Sequence, residues 1–464
     1  MRTILLGSTA LLGAALFANE ANATKTVTPA LEAPKLMISG QSSFNAWWFE
    51  NKQQKFVDGN AFGHNGNGSA GGKDTQGYGR GYLFTMDDSK LQFDVGGKTD
   101  LGMNYGFTIA INADTQQTSY DKTIKENYIW ADGSWGRLQF GNANGVEDFM
   151  AFGGFSVLGG TGGYDGNFSR VVNFVTGTLA EQGVDLIGDT GRATKITYQT
   201  PRYYGFQAGV SFTPQQDHMG EAKINTGSHY KKEKYAYDKR SIAGGLNFLN
   251  KWNNGFEWGL SATAIFAKTQ PEYTGATWKL YDKDLRPIAG QNGSGNRKDT
   301  KAYALGTVMR YGGFEFGFEF GDNGKSHQLK DFAKATGVKQ KGSWFMDAGV
   351  AYTWGPTKVS AGYYYGKGSG AQYNSGTRTF SKAKNKTNIL TASVDHKLAP
   401  GVGVYFEYAN YDMKNTGWNI DAQLHNTLNG ATTIKNGTPK DVVAGPVGPK
   451  QRANAFVLGT KVKF

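Results

Sequence analysis

The sequence predicts an all-β protein, a transmembrane antiparallel β-barrel of about sixteen strands with short turns at one end and long loops at the other. Three observations lead to this fold class. The last residues form a strand of alternating pattern that runs to the end of the chain, similar strand-like stretches recur throughout, and the connections between them are alternately short and long. A soluble β-sandwich gives no reason for that alternation in connection length.

The C-terminal strand carries a mostly apolar face. Four apolar residues share this face because they are separated by multiples of two residues: Phe456, Leu458, Val462 and Phe464. An open edge strand that ends in an exposed aromatic residue would promote aggregation of a soluble protein. The same strand is stable if it closes a barrel and its apolar face meets lipid. We therefore expect it to pair with the first strand, near residues 36–49.

The N-terminal segment has the features of a secretory signal peptide. Arg2 precedes an apolar run from Ile4 to Phe17, and Ala21-Asn22-Ala23 is a small-x-small cleavage site. The apolar run is too short to span a bilayer as a helix. The predicted divisions of the chain are a signal peptide (1–23), a short extended lead-in (24–35) and one barrel domain (36–464).

The composition favours a barrel around an aqueous lumen. The chain has no cysteine and therefore no disulfide framework. Its 66 glycines and 11 prolines together stay below the low-complexity range, and 14% aromatic residues argue against a disordered chain. Mean hydropathy is only −0.50, as expected if one residue in two along each strand is apolar. The net charge of +12 comes from scattered Lys and Arg residues without a basic helix, so we expect no nucleic-acid partner.

The individual strands and their connections follow from local pattern. Alternation is clearest at 314–320, where Phe occupies one face of the strand and Glu and Gly occupy the other. Short turns rich in Gly, Pro, Asn and Asp are expected near 99–104, 132–135, 200–204, 251–255, 312–313, 355–356 and 399–401. Longer connections are expected near 50–80, 115–123, 142–191, 214–240, 269–299, 323–341, 367–386 and 413–451. Seven short and eight long connections imply sixteen strands with both termini at the short-turn end.

Aromatic residues cluster toward the predicted strand ends. The clusters are Trp47-Trp48-Phe49, Tyr203-Tyr204 and Tyr363-Tyr364-Tyr365. Amphipathic rings at both membrane–water boundaries would produce this arrangement. Packing on the barrel surface is the alternative explanation.

Catalytic and cofactor motifs are absent or out of context, so we predict a protein that is not an enzyme and has no cofactor or metal. Residues 66–71 match a dinucleotide fingerprint but lie in a polar loop, and the six histidines lack metal-ligand spacing. The enzymatic alternative is a protease or phospholipase barrel. Its best candidates, Asp87-Asp88 and Asp217-His218, are adjacent pairs, and adjacent residues of a strand point to opposite faces.

Several stretches resemble the general porins of Gram-negative outer membranes. Residues 89–102 resemble the second strand and first turn of that family. Residues 136–142 resemble the strand that leads into its constriction loop, and residues 195–201 resemble the strand and Pro turn that follow the loop. The resemblance runs through the whole chain in order. It implies a homotrimer of 16-stranded barrels in the outer membrane, inserted by the barrel-assembly machinery, which reads the terminal aromatic residue.

The resemblance also implies a pore constriction. The third external loop of the family folds inward, and here that connection spans about 142–191. Acidic residues of this loop would face a basic cluster on the barrel wall, and the alternative is that they are solvated loop charges. Lys90 lies on the polar face of its strand, opposite Leu91, and should point inward. The candidates are Glu147, Asp148 and Asp165 for the acidic side and Lys90, Arg170 and Arg192 for the basic side.

The predicted function is therefore an outer-membrane porin through which small hydrophilic solutes and ions diffuse passively. The expected surroundings are outer-membrane lipid and lipopolysaccharide, and the positive charge favours a weak anion preference. One alternative is a porin specific for phosphate, sugars or another anion. Another is a surface adhesin or antigen whose long loops, such as 231–234, contact host surfaces or lipopolysaccharide.

Overall fold

Sixteen antiparallel strands close into a barrel. The computed structural model describes residues 32–53, 79–113, 124–172, 186–216, 237–270, 279–281, 287–292, 297–328, 330, 333, 338–374, 379–415 and 450–464. The predicted fold class and strand number are confirmed. The predicted signal peptide, most of the lead-in, the 66–71 motif, Asp217-His218 and residues 231–234 lie outside the described residues.

The strands are β1 (Glu32–Gln53), β2 (Gly79–Lys98), β3 (Asn104–Asn112), β4 (Ile124–Gly133), β5 (Gly136–Asn142), β6 (Thr194–Gln199), β7 (Phe206–Gln215), β8 (Tyr237–Lys251), β9 (Glu257–Gln270), β10 (Lys279–Tyr281), β11 (Pro287–Asn292), β12 (Thr300–Tyr311), β13 (Phe314–Gly324), β14 (Ser343–Trp354), β15 (Thr357–Asn374), β16 (Thr379–Ala399), β17 (Val402–Asn415) and β18 (Lys450–Lys463). Around the barrel the strands follow the order β1-β18-β17-β16-β15-β14-β13-β12-β9-β8-β7-β6-β5-β4-β3-β2. The short strands β10 and β11 form a separate two-stranded sheet. In the described part of the chain, no helix is both long and apolar enough to cross a membrane.

The tight turns lie where turn chemistry predicts them. All seven predicted short connections join consecutive barrel strands. Between β12 and β13, Gly312 and Gly313 both have positive φ, 56° and 87°, which a two-residue hairpin turn requires. The first residue of β1 and the last residue of β18 therefore lie at the short-turn end of the barrel.

One predicted connection and the predicted lead-in differ from the structure. Most of 367–386 is strand, since β15 and β16 stay paired from Gly368↔Asn385 to Asn374↔Thr379. Its Gly, Ser, Lys and Asn residues indicate a loop, but a backbone ladder that extends beyond the apolar band needs no apolar side chains. The lead-in is also shorter than predicted, because β1 begins at Glu32, which pairs with Lys98.

The first and last strands close the barrel as expected. They pair from Gln41↔Lys463 to Gln53↔Gln451, and the Phe464 and Gly40 backbones exchange two hydrogen bonds of 3.0 Å. The outward face of β18 is exposed, with Phe456 at 39%, Leu458 at 51%, Val462 at 46% and Phe464 at 72%.

A bulge in β2 changes which residues point inward. Ser43 pairs with Asp87 and Gln41 with Lys90, so two residues of β2 face one residue of β1, and Asp88 has a φ of 54°. Asp87 and Asp88 are consequently both buried. The expectation that this adjacent pair points to opposite faces is wrong, because the bulge interrupts the two-residue period.

The aromatic clusters are divided between the two faces of the wall. Trp48 is 45% exposed and Tyr203 and Tyr204 are more so, as expected for residues at the membrane boundary. Trp47 and Tyr364, in contrast, are fully buried inside the barrel. The girdle interpretation therefore does not extend to these two residues, because successive side chains of a strand point to opposite faces.

Candidate functional site

The connection between β5 and β6 folds into the barrel and lies against its inner wall, as predicted for the third loop. We call residues 143–172 of this connection the belt. It contains one short helix, α1 (Val146–Phe149), and three 3-10 turns at Gly154–Ser156, Gly163–Asp165 and Asn167–Arg170. About two thirds of its residues are buried.

The belt follows the wall strand by strand, and its backbone N–H groups donate to inward side chains. These bonds are Val146 to Ser211 of β7 (3.0 Å), Phe152 to Ser261 of β9 (2.8 Å), Gly154 to Asp347 of β14 (2.6 Å), Gly159 to Ser360 of β15 (2.9 Å), Gly160 to Asp395 of β16 (2.8 Å) and Thr161 to Glu407 of β17 (2.7 Å). Because these donors would otherwise be buried without partners, the wall acceptors define the path of the belt.

Glycines on the inner wall give the belt room to approach. A Cβ atom at Gly306 would overlap the carbonyl oxygen of Phe152, and one at Gly317 would overlap that of Gly153. The same holds for Gly349 beneath Gly154. We call this band the glycine track; its members, one on each of seven neighbouring strands, are Gly209, Gly245, Gly259, Gly306, Gly317, Gly349 and Gly362.

Wall carboxylates hold the middle of the belt. Glu407 is 0% exposed and accepts from the Thr161 N–H (2.7 Å), the Thr161 hydroxyl (2.7 Å) and the Gly163 N–H (2.8 Å). Asp347 accepts from the Tyr164 hydroxyl at 2.6 Å. Burial and the neighbouring Asp347 carboxylate raise the pKa of the Tyr164 hydroxyl, which keeps it neutral and able to donate.

Apolar packing covers the wall beneath the belt. The Phe168 ring lies between Trp47 of β1 and Tyr411 of β17, with ring centroids 5.4 and 6.1 Å away. Tyr164 packs against Tyr364 of β15 at 5.8 Å. The expected polar lining of the lumen is therefore incomplete, since this part of the inner wall is the apolar seat of the belt.

The far end of the belt is fixed to β1 and β2. The Arg170 Nε lies 3.1 Å from an Asp87 carboxylate oxygen, and the Asn167 amide donates to Asp88 at 3.2 Å. The Asn51 amide donates to the Val171 carbonyl at 2.8 Å. The bulge in β2 thus presents two carboxylates to the belt.

The two arms of the connection meet where it leaves and rejoins the wall. We call residues 143–147 and 190–195 the neck. The Lys195 Nζ donates to the carbonyls of Ala143 and Gly191, the latter at 2.6 Å. Glu147 accepts from the Thr190 N–H at 3.1 Å and from the Thr190 hydroxyl. Burial, with a contribution from Asp189, raises the pKa of Glu147.

Beside the neck, two cations converge on one wall carboxylate. The Arg192 Nε lies 3.3 Å and the Lys90 Nζ 3.7 Å from the same Glu126 oxygen. The side chains of Lys90 and Glu126 are 7% and 5% exposed. Lys90 points into the barrel, as its strand pattern predicts.

The candidate residues are thus distributed over three places. Lys90 and Arg192 lie together at Glu126, whereas Arg170 pairs with Asp87 at the far end of the belt. Glu147 lies within the neck and Asp148 accepts from Asn144 next to it, both buried. Asp165 is half-buried in the second 3-10 turn.

Sequence reasoning missed Glu126. A sequence signal exists, because the alternation of β4 places Glu126 on the face opposite Asn127 and Ile129. The family resemblance places the acidic partners in the loop alone, whereas Glu126 is a carboxylate of the wall. Among the residues with described side chains, no group of three or more metal-ligating residues could hold an ion.

Comparison with known proteins agrees with this architecture. A family model described as Gram-negative porin matches residues 8–416. A Rickettsia bellii protein is 23% identical over 391 residues, which cover 75% of this chain and 79% of the relative. A Rickettsia typhi protein is 24% identical over 389 residues, which also cover 75% of this chain and 79% of the relative. Both relatives are described only as uncharacterized.

Solved structures share the fold at low sequence identity. The anion-selective porin from Comamonas acidovorans has a TM-score of 0.53 and 15% identity over 93% of this chain and 100% of that one. The trimer form of OmpT, an outer membrane protein of Vibrio cholerae, has a TM-score of 0.50 and 11% identity with the same coverages.

Proposed function

The chain belongs to the Gram-negative porin family and forms an outer-membrane channel, and we propose that small hydrophilic solutes and ions diffuse through it passively past a fixed belt. The observation that carries the proposal is the seating of the belt on the inner wall from β7 round to β2. A chain segment inside the lumen reduces the cross-section of the channel. If the backbone donors of that segment are satisfied, the segment stays in place and the cross-section stays constant. Passive sieving requires a cross-section that is both narrow and constant.

We further propose that the charged side of the constriction is formed by Lys90, Glu126 and Arg192. Charges near a narrow pore act through a low-dielectric surrounding and therefore influence which ions pass. Arg170 and Asp165, which lie on the belt itself, are the remaining candidates for direct contact with solutes. Glu147 acts at the neck, where it joins the two arms through Thr190, and Asp148 lies beside it with Asn144.

A homotrimer is supported by the height of the wall. Strands β5 and β6 have 7 and 6 residues, whereas a strand needs about 9–11 residues to cross a bilayer. Their outward side chains are apolar, with Phe140 at 39% and Ile196 at 49% exposed. A wall too low for lipid needs protein against it, and two further copies of this chain would supply it. The trimer form of Vibrio cholerae OmpT has the same fold.

Export and insertion complete the proposal. Residues 1–23 serve as a removed signal peptide and residues 24–31 as the lead-in to β1. The signal for the barrel-assembly machinery is formed by the outward residues Phe456, Leu458, Val462 and Phe464. The exposed apolar position of these four side chains on β18 supports that role. The outer wall lies in outer-membrane lipid, and the loop end of the barrel faces lipopolysaccharide.

An anion-specific porin is the second candidate. It is favoured by the two cations at Glu126 and by the shared fold with an anion-selective porin. The two candidates differ in whether solutes bind within the channel.

Planar-bilayer recording tests both. Passive diffusion through a trimer predicts three equal conductance steps per insertion and a current that is linear in voltage. Saturable block by phosphate or a sugar at low concentration would instead establish the specific channel. Purified, folded protein that inserts into the bilayer without producing any conductance would refute both candidates.

A further inference from the structure

The neck contains a buried lysine with an unusual arrangement of acceptors. Lys195 is 3% exposed, yet its ammonium group lies between backbone carbonyls instead of projecting into the lumen. One acceptor, Ala143, is the first residue of the outgoing arm, and the other, Gly191, belongs to the returning arm. The lysine thus joins the two points at which the connection leaves and rejoins the wall.

The peptide that Lys195 binds is the one that leads into Arg192. The Gly191 carbonyl carbon is bonded to the Arg192 nitrogen, so a hydrogen bond to that carbonyl fixes the plane of their shared peptide. Gly191 has a φ of 47°, a conformation that favours glycine, and its N–H donates to the Asp189 side chain at 3.0 Å. The backbone before Arg192 is therefore held on both sides.

Arg192 in turn reaches the wall. Its Nε lies 3.3 Å from Glu126, the carboxylate that also faces Lys90. A long side chain can hold such a position only if its backbone is fixed, because arginine otherwise retains much rotamer freedom. The geometry connects Lys195 to the charged side of the constriction through a single residue.

We propose that Lys195 is a positioning residue for ion selectivity, which holds Arg192 against Glu126 by clamping the two arms of the neck. This inference rests on the proposed porin function. It differs from two simpler roles for Lys195. One is a purely structural role that affects only stability, and the other is a direct contribution of its own charge to the pore.

A double-mutant cycle separates these roles. The variants are Lys195→Met, Arg192→Gln and the combination, each measured as reversal potential across a salt gradient in planar bilayers. Methionine keeps the length of the side chain and removes its donors. We expect Lys195→Met to shift selectivity toward cations when Arg192 is present and to shift it much less when Arg192 is already Gln.

Equal shifts in the two backgrounds would overturn the proposal, because they would mean that Lys195 acts through its own charge. An unchanged reversal potential in Lys195→Met with a lowered melting temperature would also overturn it and assign a structural role. Lys358→Met is the matched control, since Lys358 pairs with Glu315 on the wall at 2.7 Å, away from the neck. Its effect should add to that of Arg192→Gln.

A second variant covers the case in which Lys195→Met does not fold. Thr190→Val removes the hydroxyl that donates to Glu147, leaves the Thr190 N–H bond to the same carboxylate in place, and changes the shape of the side chain little. We expect a smaller shift toward cations that again depends on Arg192, and a shift independent of Arg192 would refute the clamp. Wild-type protein without any conductance would refute the porin function itself, a different result from a conducting channel with an additive cycle.

Discussion

Gly306 of β12 lies directly beneath the carbonyl group of Phe152, so close that a Cβ atom at this position would overlap the carbonyl oxygen. The neighbouring Phe152 N–H donates to Ser261 of β9, which holds the belt at this height. The absence of a side chain at Gly306 and the bond at Ser261 together determine where the belt lies. This relationship is repeated along the glycine track.

Gly306→Ala tests the track. The added methyl group meets backbone, which cannot rotate away, so we expect the belt to be displaced and the protein to lose about 1–3 kcal/mol of stability. Thermal melting and single-channel conductance measure the two effects. Gly244→Ala is the control, since a Cβ atom at Gly244 has nothing within 4 Å. Equal melting temperatures for the two variants would contradict the track.

Glu407→Gln tests the wall carboxylates. In Glu407→Gln, one carboxylate oxygen becomes an NH₂ group, which donates and cannot accept. Either the Gly163 N–H or the Thr161 N–H of the belt therefore loses its acceptor. We expect a loss of about 2 kcal/mol and more open-channel noise, because the middle of the belt is released. Glu50→Gln, a change in a carboxylate that pairs with Arg80 at 2.7 Å, should leave the noise unchanged. A quiet Glu407→Gln channel would show that other contacts suffice.

Glu126→Gln tests the charged side of the constriction. The change removes the carboxylate between Lys90 and Arg192 and leaves both cations. We expect the reversal potential in a salt gradient to shift toward anions. Asp299→Asn, which alters a carboxylate paired with Lys268 in a more exposed position, should shift it little. If the two variants behave alike, Glu126 does not face the ion path.

The pH dependence of stability tests the neck. Burial and Asp189 raise the pKa of Glu147 above its ordinary value of 4.5, so the folded protein favours the protonated form. The favourable contribution of this group is complete below that value and is lost as the pH rises through the raised pKa. Glu147→Gln removes this loss and keeps an acceptor for Thr190. We therefore expect its melting temperature, relative to wild type, to increase from mildly acidic to neutral pH, and a constant difference would refute the assignment.

Deletion of Phe464 tests the closing strand. The deletion removes both backbone bonds to Gly40 and the ring that lies over this glycine. We expect fewer assembled trimers in the outer membrane, while the trimers that form keep the wild-type conductance. Phe266→Ala, which trims an outward aromatic side chain of β9 outside the assembly signal, should assemble more fully. Normal assembly after deletion would refute a role for the terminal residue.

The barrel could be predicted because its signals are local. Alternation with a period of two gives the strands, and Gly, Pro and Asn give the turns, as at Gly312-Gly313. The pattern fails where the backbone departs from it. The bulge at Asp88 shifts the period by one residue, and nothing in the letters of β2 reveals it.

The site could be predicted only in outline. The inward loop follows from the family resemblance, and Lys90 follows from its strand face. Glu126 and Lys195 lie far from Lys90 and Ala143, respectively, in the sequence but close to them in space. Their roles therefore depend on the register of β2, β4 and β6. The glycine track consists of one residue per strand, and in a chain with 66 glycines its members become visible only when the strands are aligned.

The position of Phe168 affects how the barrel can come apart. A barrel would open most easily between β1 and β18, since they are its first and last strands and no connection joins them. Phe168 packs on Trp47 of β1 and on Tyr411 of β17, so the belt spans this seam from the inside. Separating β1 from β18 therefore also requires breaking the contact of Phe168 with either Trp47 or Tyr411. The loop that narrows the channel acts at the same time as an internal brace, and it raises the barrier to unfolding at the one junction that chain connectivity leaves open.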